Sequence, residues 1–250
     1  MNDLKSLRFD LTLTPPLQEL LATLSPYTQR IYLVGGCVRD LFLDVPLRDY
    51  DIEVYDIDVE RFHTLMEKFG AIGVGKAFFV YRKGAMDISL PRVESKVSRG
   101  HRGFDVVVTQ EEPLASQRRD FTINAMMLNL FTGEVLDFYG GRDDLEKRTL
   151  RVVSEQTFVE DSLRVLRAVG LCGRFSLKLE EKSRLLSQSL SLADLSKERI
   201  TAEFAKLDSH SFVEGIRVAF DLGVFEKLLA KQLCISLEER EILLPIASQA

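Results

Sequence analysis

The sequence IYLVGGCVRDLFLDVPLRDYDIEVY, residues 31–55, predicts a strand, a tight turn, a short helix and a second strand. The first apolar run ends at the paired glycines Gly35 and Gly36. The second strand begins with the acidic sequence DYD, which contains Asp49 and Asp51. Successive side chains of a strand point to opposite faces, so we expect both aspartates on one face.

Two carboxylates on one strand face are a candidate site for divalent cations. Hard oxygen ligands suit Mg²⁺, and two such ions about 3.5–4 Å apart can hold the attacking and leaving oxygens of a phosphoryl transfer. Asp49 and Asp51 are therefore the predicted ligands of a two-ion Mg²⁺ site. An acidic pair alone is common on protein surfaces, but here it shares one short unit with a glycine turn.

The glycine turn supplies a candidate phosphate site beside the acidic pair. Gly35 and Gly36 lack a Cβ atom, so backbone N–H groups there can approach a triphosphate closely. The positive end of the helix that follows points to the same place. Arg39, in the first turn of that helix, can pair either with a phosphate or with a neighbouring carboxylate.

The composition predicts a cytoplasmic protein without a membrane partner. The chain has 250 residues, 46% of them hydrophobic, which is enough for one large or two small domains. No apolar run is long enough to span a bilayer, and the N-terminus lacks the apolar core of a signal peptide. The three cysteines are far apart and form no C-x-x-C pair, which argues against a disulfide framework or a zinc site.

Positive charge is concentrated locally although the formal net charge is −5. Arginine and lysine residues cluster within residues 92–119 and again within residues 164–174. Such clusters are usually solvated faces, but they also provide the phosphate contacts of nucleic-acid-binding proteins. Composition alone leaves both interpretations open.

The rest of the first half predicts a small mixed sheet with helices packed against it. Asp87, in the second strand of a predicted hairpin, is a candidate third carboxylate that accepts a proton or completes a metal's coordination. Residues 92–117 are polar and basic and contain Gly100 and Gly103, so they predict a mobile loop. The other predicted elements are a helix over 17–24, a helix over 58–69 that ends at Gly70, and hairpin strands over 78–81 and 86–90.

The sequence RRDFTINAM, residues 118–126, combines packing residues with two unexplained cations. Asp120 can cap a helix whose apolar residues pack inside. Arg118 and Arg119 are poorly placed for the dipole of such a helix, and a phosphate partner would offset that cost. Residues 135–153 predict a strand, a Gly-Gly turn, a capped helix and a strand, which we interpret as scaffold.

Residues 158–175 predict a long helix with Asp161, Arg164 and Arg167 spaced by three along one face. The simple explanation is an exposed acidic–basic pair worth roughly 0.2–0.5 kcal/mol. The alternative is base recognition, because an aspartate accepts from an exocyclic amino group and an arginine donates to ring or carbonyl acceptors. Helices predicted over 180–190, 197–207, 212–221 and 224–230 make the second region all-helical.

Five strings occur in the order of the motifs of one enzyme family: LVGGCVRD, DYD, RRDFTINAM, FVEDSLRVLRA and KERITAEF. Over about residues 31–207 the chain resembles class II tRNA nucleotidyltransferases, the CCA-adding enzymes, and their bacterial poly(A) polymerase relatives. The resemblance implies an α+β fold, with a polymerase-beta-like nucleotidyltransferase head built on a small mixed β-sheet. The implied domains are an N-terminal extension over 1–28, the head over 29–153, a helical neck over 154–209 and the truncated start of a helical body over 210–250.

The resemblance also implies roles for individual residues. Asp49, Asp51 and Asp87 are the implied catalytic carboxylates, and Asp161 and Arg164 are the implied protein template that selects CTP and ATP. Asp120 and Asn124 are implied as sugar contacts or supports. The implied nucleotide-binding residues are Gly35, Gly36, Arg39, Arg119, Asp120, Asn124, Asp161, Arg164 and Arg167.

Two further segments match the family. A flexible loop at the position of residues 92–117 helps the family's active site change between adding C and adding A. Glu198, Arg199, Ile200 and Glu203 match a motif that braces the template helix.

The chain departs from the family at Gly170, where the arginine series usually continues. A glycine inside a helix costs about 1 kcal/mol relative to alanine, and the missing charge is expected to weaken triphosphate binding or the ATP step. No His-Asp dipeptide occurs, so no metal-dependent phosphohydrolase is expected. The chain is also shorter than the family's usual length, in which further helices grip the tRNA.

The resulting hypothesis is template-independent addition of C and A, from CTP and ATP, to the 3′ end of tRNA. Within the same class, addition of A alone or poly(A) synthesis on another RNA 3′ end stays open. A different class is a truncated homologue that binds RNA or nucleotide with little turnover. A purely structural protein leaves the acidic pair and the arginine series without a role, and the sequence carries no indication of an oligomeric state.

Overall fold

The computed structural model describes residues 13–75, 79–96 and 104–230. The chain divides into two compact units, Met1–Asp143 and Asp144–Ala250. This division lies before residue 153, where the sequence analysis places the end of the head. Within the described residues, no helix has the length and apolar character needed to cross a membrane.

The first unit combines helices with a mixed β-sheet, as expected from the sequence. Its helices are α1 (Pro15–Leu24), α2 (Gly36–Phe42), α3 (Val59–Phe69) and α4 (Glu112–Gln117), and α5 (Gly141–Glu146) begins at its end. Its strands are β1 (Ile31–Val34), β2 (Tyr50–Val54), β3 (Ile72–Gly75), β4 (Val80–Lys83), β5 (Met86–Ser89), β6 (Arg92–Lys96), β7 (Phe104–Val108), β8 (Met127–Asn129) and β9 (Val135–Leu136). The helices expected over 17–24 and 58–69 are confirmed. The hairpin is also present, but its first strand is Val80–Lys83 instead of 78–81, and residue 78 lies outside the described residues.

Seven of these strands form one sheet in the order β3-β4-β5-β2-β1-β8-β9. Strands β2 and β5 run parallel, whereas the other neighbours run antiparallel. The parallel pair sets Asp51 opposite Asp87. Residues directly opposite each other in a sheet point to the same face, so the two carboxylates share one side of it.

Helix α3 shows how local signals fix the boundaries of these elements. The side chain of Asp58 accepts a hydrogen bond from the backbone N–H of Arg61 and caps the start of the helix. Gly70 ends it in the left-handed conformation, at φ 78°. Both ends agree with the expectation from sequence, because each depends on residues next to it in the chain.

Two expectations about the first unit are wrong. The segment over 92–117 is not a loop: its described part forms an antiparallel hairpin of β6 and β7, followed by α4. The run Val106–Val108 favours a strand because β-branched residues fit a pleated surface. Gly100 and Gly103 lie outside the described residues.

The helix expected after Asp120 is a single 3-10 turn, Thr122–Asn124, which leads into β8. Strand β8 pairs with β1 along its whole length and is buried on both faces. This pairing overrides the local capping signal, and it buries all three residues of β8 in the sheet.

An ion-pair network fastens α4 to the sheet. Arg30, just before β1, donates from Nε to Glu112 Oε1 at 3.0 Å and from Nη1 to Asp56 Oδ1 at 2.6 Å. The Tyr32 hydroxyl donates to the same Glu112 oxygen at 3.2 Å. Desolvation opposes ionisation of Glu112, but the Arg30 hydrogen bond, a backbone N–H and the Arg30 charge together lower the pKa of Glu112.

The Glu112→Gln variant is expected to lose stability at neutral pH and to lose less at acid pH. A carboxyl whose pKa is lowered by folding contributes stability above its unfolded pKa of about 4.3, and that stability is lost as pH falls through the lower folded value. Urea unfolding of both proteins, from pH 7 down to pH 3, measures the difference in free energy of unfolding. A difference that stays constant over this range would contradict the prediction.

The second unit is helical, as expected, with one short parallel strand pair in addition. Its helices are α6 (Glu155–Phe158), α7 (Leu163–Phe175), α8 (Glu181–Ser189), α9 (Lys197–Phe204), α10 (Phe212–Asp221) and α11 (Val224–Ala230). The strand pair is β10 (Thr149–Leu150) and β11 (Lys178–Leu179). The single helix expected over 158–175 is wrong at its start, because the chain turns between α6 and α7 before continuing.

Helices α7 and α10 approach closely because glycine lies between them. A Cβ atom on Gly173 would lie 2.5 Å from the backbone oxygen of Ser211 and 3.1 Å from the Cα atom of Gly215. One turn earlier on the same helix, a Cβ atom on Gly170 would meet nothing within 4 Å. The contact between the helices therefore requires glycine at position 173 and leaves space at position 170.

Candidate active site

Asp49 lies just before β2, and Asp51 is the second residue of that strand. Cys37, in the first turn of α2, fixes the backbone that carries them. Its sulfur accepts a hydrogen bond from the Asp51 N–H at 3.3 Å and donates one to the Asp49 carbonyl oxygen at 3.2 Å. The buried thiol therefore links the helix after the glycine turn to the strand that begins with the acidic pair.

The carboxylate of Asp51 faces other negative charges. Its pKa is raised, first because the surrounding protein desolvates it and then because Asp87, Asp49 and Glu53 repel a further negative charge. Arg119 acts in the opposite direction. A concentration of carboxylates that is only partly compensated favours the binding of a cation.

Asp87 lies beside the pair, but its carboxylate is already engaged by Arg82. Arg82 donates from Nε and Nη2 to the two Asp87 oxygens at 2.6 and 2.7 Å. In the described part of the chain, no group of three or more His, Cys, Asp or Glu side chains is arranged to hold a metal ion. The carboxylate donors of Asp49 and Asp51 nevertheless fit Mg²⁺, which is commonly bound by one or two carboxylates together with substrate phosphates and water.

The backbone at Gly35 passes close to both Asp51 and Arg119. It has φ 73°, a left-handed conformation that favours glycine. A Cβ atom there would lie 2.9 Å from Arg119 Nη1 and 3.6 Å from Asp51 Oδ2. A Cβ atom on Gly36 would lie 3.1 Å from Arg39 Nη2. Any side chain at the turn would therefore fill space beside these charged groups, where the sequence predicts the phosphates.

Sequence reasoning missed Glu53, which the structure places next to the pair of arginines. Its side chain is 2% exposed, and its Oε1 atom accepts from Arg118 Nη2 at 2.9 Å and from Arg119 Nη2 at 2.8 Å. Desolvation opposes its charge, but Arg119 and then Arg118 outweigh that effect and lower the pKa of Glu53. The available signal was its spacing, since Glu53 continues the i, i+2 series of Asp49 and Asp51.

Arg39, Asn124 and Asp120 form a buried network behind the glycine turn. Arg39 donates to Asn124 Oδ1 at 2.6 Å and to Asp40 Oδ1 at 2.6 Å, and Asn124 donates to Asp120 Oδ1 at 3.0 Å. Arg39 thus has the carboxylate partner that the sequence allowed, and Asp120 and Asn124 support it. Direct contacts of these three residues with a nucleotide stay predictions.

In the second unit, Asp161 precedes α7 rather than lying within it. Its two oxygens each accept from Arg199 Nη2 at 3.1 Å, and its Oδ1 also accepts from the backbone N–H of Leu163 at 3.1 Å. The resemblance assigns the segment around Arg199 to bracing of the template helix, and the structure shows Arg199 bound to Asp161, just before that helix. Arg164 donates to the Thr157 carbonyl oxygen at 2.9 Å, and Arg167 is partly buried on α7. Base recognition by Asp161 and Arg164 and nucleotide binding by Arg167 stay predictions.

Comparison with known proteins finds one family and a consistent set of relatives. Residues 31–151 match the poly A polymerase head domain. A multifunctional CCA protein of Stenotrophomonas maltophilia (strain K279a) is 46% identical over 153 residues, which cover 59% of this chain and 36% of that protein. A CCA-adding enzyme of Lactobacillus delbrueckii subsp. bulgaricus is 37% identical over 181 residues, covering 70% of this chain and 46% of that protein. The chain therefore spans less than half the length of these curated relatives.

Solved structures agree with this result. The Thermotoga maritima CCA-adding enzyme complexed with tRNA is 26% identical, with a TM-score of 0.69 over 88% of this chain and 54% of that one. The Bacillus stearothermophilus CCA-adding enzyme in complex with CTP is 28% identical, with a TM-score of 0.69 over 83% of this chain and 52% of that one. The α+β fold with a mixed sheet is thus shared with CCA-adding enzymes.

Proposed function

We propose that this chain, whose residues 31–151 match the poly A polymerase head domain, is a template-independent nucleotidyltransferase. The proposed reaction adds C and A residues, from CTP and ATP, to the 3′ end of tRNA. The observation that carries the proposal is the register of β2 and β5, which sets Asp51 opposite Asp87. Relatives named as CCA-adding enzymes support the choice of substrate.

In the proposed reaction, the 3′ oxygen of the RNA attacks the α-phosphorus of the nucleotide. The bond between the α-phosphorus and the β-bridging oxygen breaks, pyrophosphate leaves, and Asp87 accepts the proton of the attacking hydroxyl. Asp49 and Asp51 would hold Mg²⁺, which neutralises the charge that develops on the phosphoryl oxygens. Gly36 and Arg119 position the triphosphate, and Arg82 orients the Asp87 carboxylate.

Selection of the base is assigned to the second unit. Asp161 accepts from the exocyclic amino group of C or A, while Arg164 donates to ring or carbonyl acceptors. Uracil and guanine present the opposite order of donors and acceptors. The two contacts from Arg199 support this role, because they fix the orientation of the Asp161 carboxylate.

Incorporation assays with a tRNA that lacks its 3′ CCA test the proposal. Labelled CTP and ATP are supplied singly and together with Mg²⁺, and the Lactobacillus delbrueckii enzyme serves as positive control. We expect C from CTP alone and a complete CCA end from both nucleotides. A added only to tRNA ending in CC, or long A tails on any RNA, would assign one of the alternative activities, and nucleotide binding without incorporation would identify a binding protein.

A further inference from the structure

We propose that Glu53 is a positioning residue that sets Arg119 in place for the triphosphate of the incoming nucleotide. This inference rests on the proposed function and extends it to a residue outside the family resemblance described above. Glu53 lies on β2, two residues after Asp51, and so on the same strand face as the acidic pair.

Glu53 is unsuited to direct contact with metal or nucleotide. Its side chain is 2% exposed, so both carboxylate oxygens are shielded from solvent. Oε1 accepts from two arginines, and Oε2 accepts from the Tyr55 hydroxyl at 3.2 Å. Any effect of Glu53 on the reaction therefore acts through the groups that it binds.

Arg119 connects this buried carboxylate to the candidate site. Its Nη2 atom donates to Glu53, while its Nη1 atom lies 2.9 Å from the position of a Cβ atom on Gly35. The charge of Arg119 also reaches Asp51, since it opposes the rise in the pKa of that carboxyl. The Arg119 guanidinium thus has one edge anchored inside the protein and the other directed to the glycine turn.

In the described part of the chain, the hydrogen bond to Glu53 is the contact that holds the Arg119 guanidinium. Its Nε atom is buried and has no hydrogen-bond partner among the described residues. Arg118, the preceding residue, carries the same charge and binds the same Glu53 oxygen. Without a negative charge at position 53, two neighbouring guanidinium groups would repel each other, and Arg119 would leave the place where phosphate is expected.

The test compares Glu53→Gln with Glu112→Gln, which also neutralises an arginine-bound carboxylate in the same unit but does not touch Arg119. Binding of CTP is measured by calorimetry without tRNA, and KM and kcat are measured with tRNA. For Glu53→Gln we expect the Kd and KM for CTP to rise about tenfold or more, with kcat little changed, as for the loss of a charge-assisted binding contact. For Glu112→Gln we expect no change in Kd.

A purely structural role for Glu53 would give a different result. It would lower thermal stability and the active fraction without changing the Kd of the folded protein. An unchanged Kd in folded Glu53→Gln, or equal changes in both variants, would overturn the inference.

A double-mutant cycle tests whether Glu53 acts through Arg119. Arg119→Ala alone is expected to weaken CTP binding, and Glu53→Gln added to it should weaken binding little further, because residues that act through one contact are not additive. Full additivity of the two changes in binding free energy would overturn the proposal.

The binding readout separates this inference from the proposed function. If the wild-type chain binds CTP but incorporates nothing, the proposed activity fails, and the comparison of Kd values still decides the role of Glu53. If the wild-type chain binds no nucleoside triphosphate, both proposals are overturned.

Discussion

Asp51→Asn is expected to abolish nucleotide incorporation while leaving the protein folded. Losing a carboxylate that holds the metal is expected to reduce kcat by about 1,000-fold, equivalent to about 4 kcal/mol of transition-state stabilisation. The stability of the folded protein, unlike its activity, should not fall. Because the pKa of Asp51 is raised in the folded protein, its ionised form is destabilising at neutral pH, and the neutral amide removes that cost. We therefore expect an equal or higher unfolding temperature without Mg²⁺.

Thermal unfolding with and without Mg²⁺ tests whether Asp51 binds the metal ion. A ligand that binds only the folded state raises the unfolding temperature, so Mg²⁺ should stabilise the wild type and not Asp51→Asn. Asp44→Asn is the control, since Asp44 is also an exposed aspartate of the first unit. Retained incorporation by Asp51→Asn, or an equal Mg²⁺ shift in all three proteins, would exclude the assigned role.

Gly173→Ala is expected to destabilise the second unit by about 3 kcal/mol, near the upper end for overpacking of an interior. The added Cβ atom would lie 2.5 Å from the Ser211 oxygen, a backbone atom that cannot move without displacing the start of α10. Urea unfolding followed by helical circular dichroism measures the effect.

Gly170→Ala provides a control of identical chemistry on the same helix. Its Cβ atom meets nothing within 4 Å, so the change should add about 1 kcal/mol of helix stability. The two variants should therefore move the urea midpoint in opposite directions. Equal shifts would show that helix propensity rather than the contact with α10 determines the stability of α7.

Features governed by neighbouring residues could be predicted from the sequence. The stop of α3 at Gly70 and the start of α1 at its prolines each depend on residues within one helical turn. The positions of Asp49 and Asp51 also follow from a local rule, the alternation of side chains along a strand. The family motifs supplied the expectation that Asp87 belongs with them.

Features governed by distant residues could not be predicted. The turn that replaces the expected helix after Asp120 depends on the pairing of β8 with β1, far away in the sequence. Asp161 binds Arg199 across 38 positions of the chain, which the spacing of Asp161 and Arg164 does not reveal. Glu53 looked like one more charged residue in a strand, because its burial depends on two arginines from a later segment.

The register of the parallel strands β2 and β5 links the packing of the core to the positions of Asp51 and Asp87. Met86 and Ile88, on either side of Asp87, point into the core and are 3% and 0% exposed. A slip of β5 by one residue would expose both side chains, at about 1.5–3 kcal/mol each, and would bury Asp87. The burial of these apolar side chains therefore fixes the position of Asp87 relative to Asp51. Substitutions of the buried residues of β5 that shift this register are therefore expected to reduce catalytic activity as much as substitutions of the aspartates.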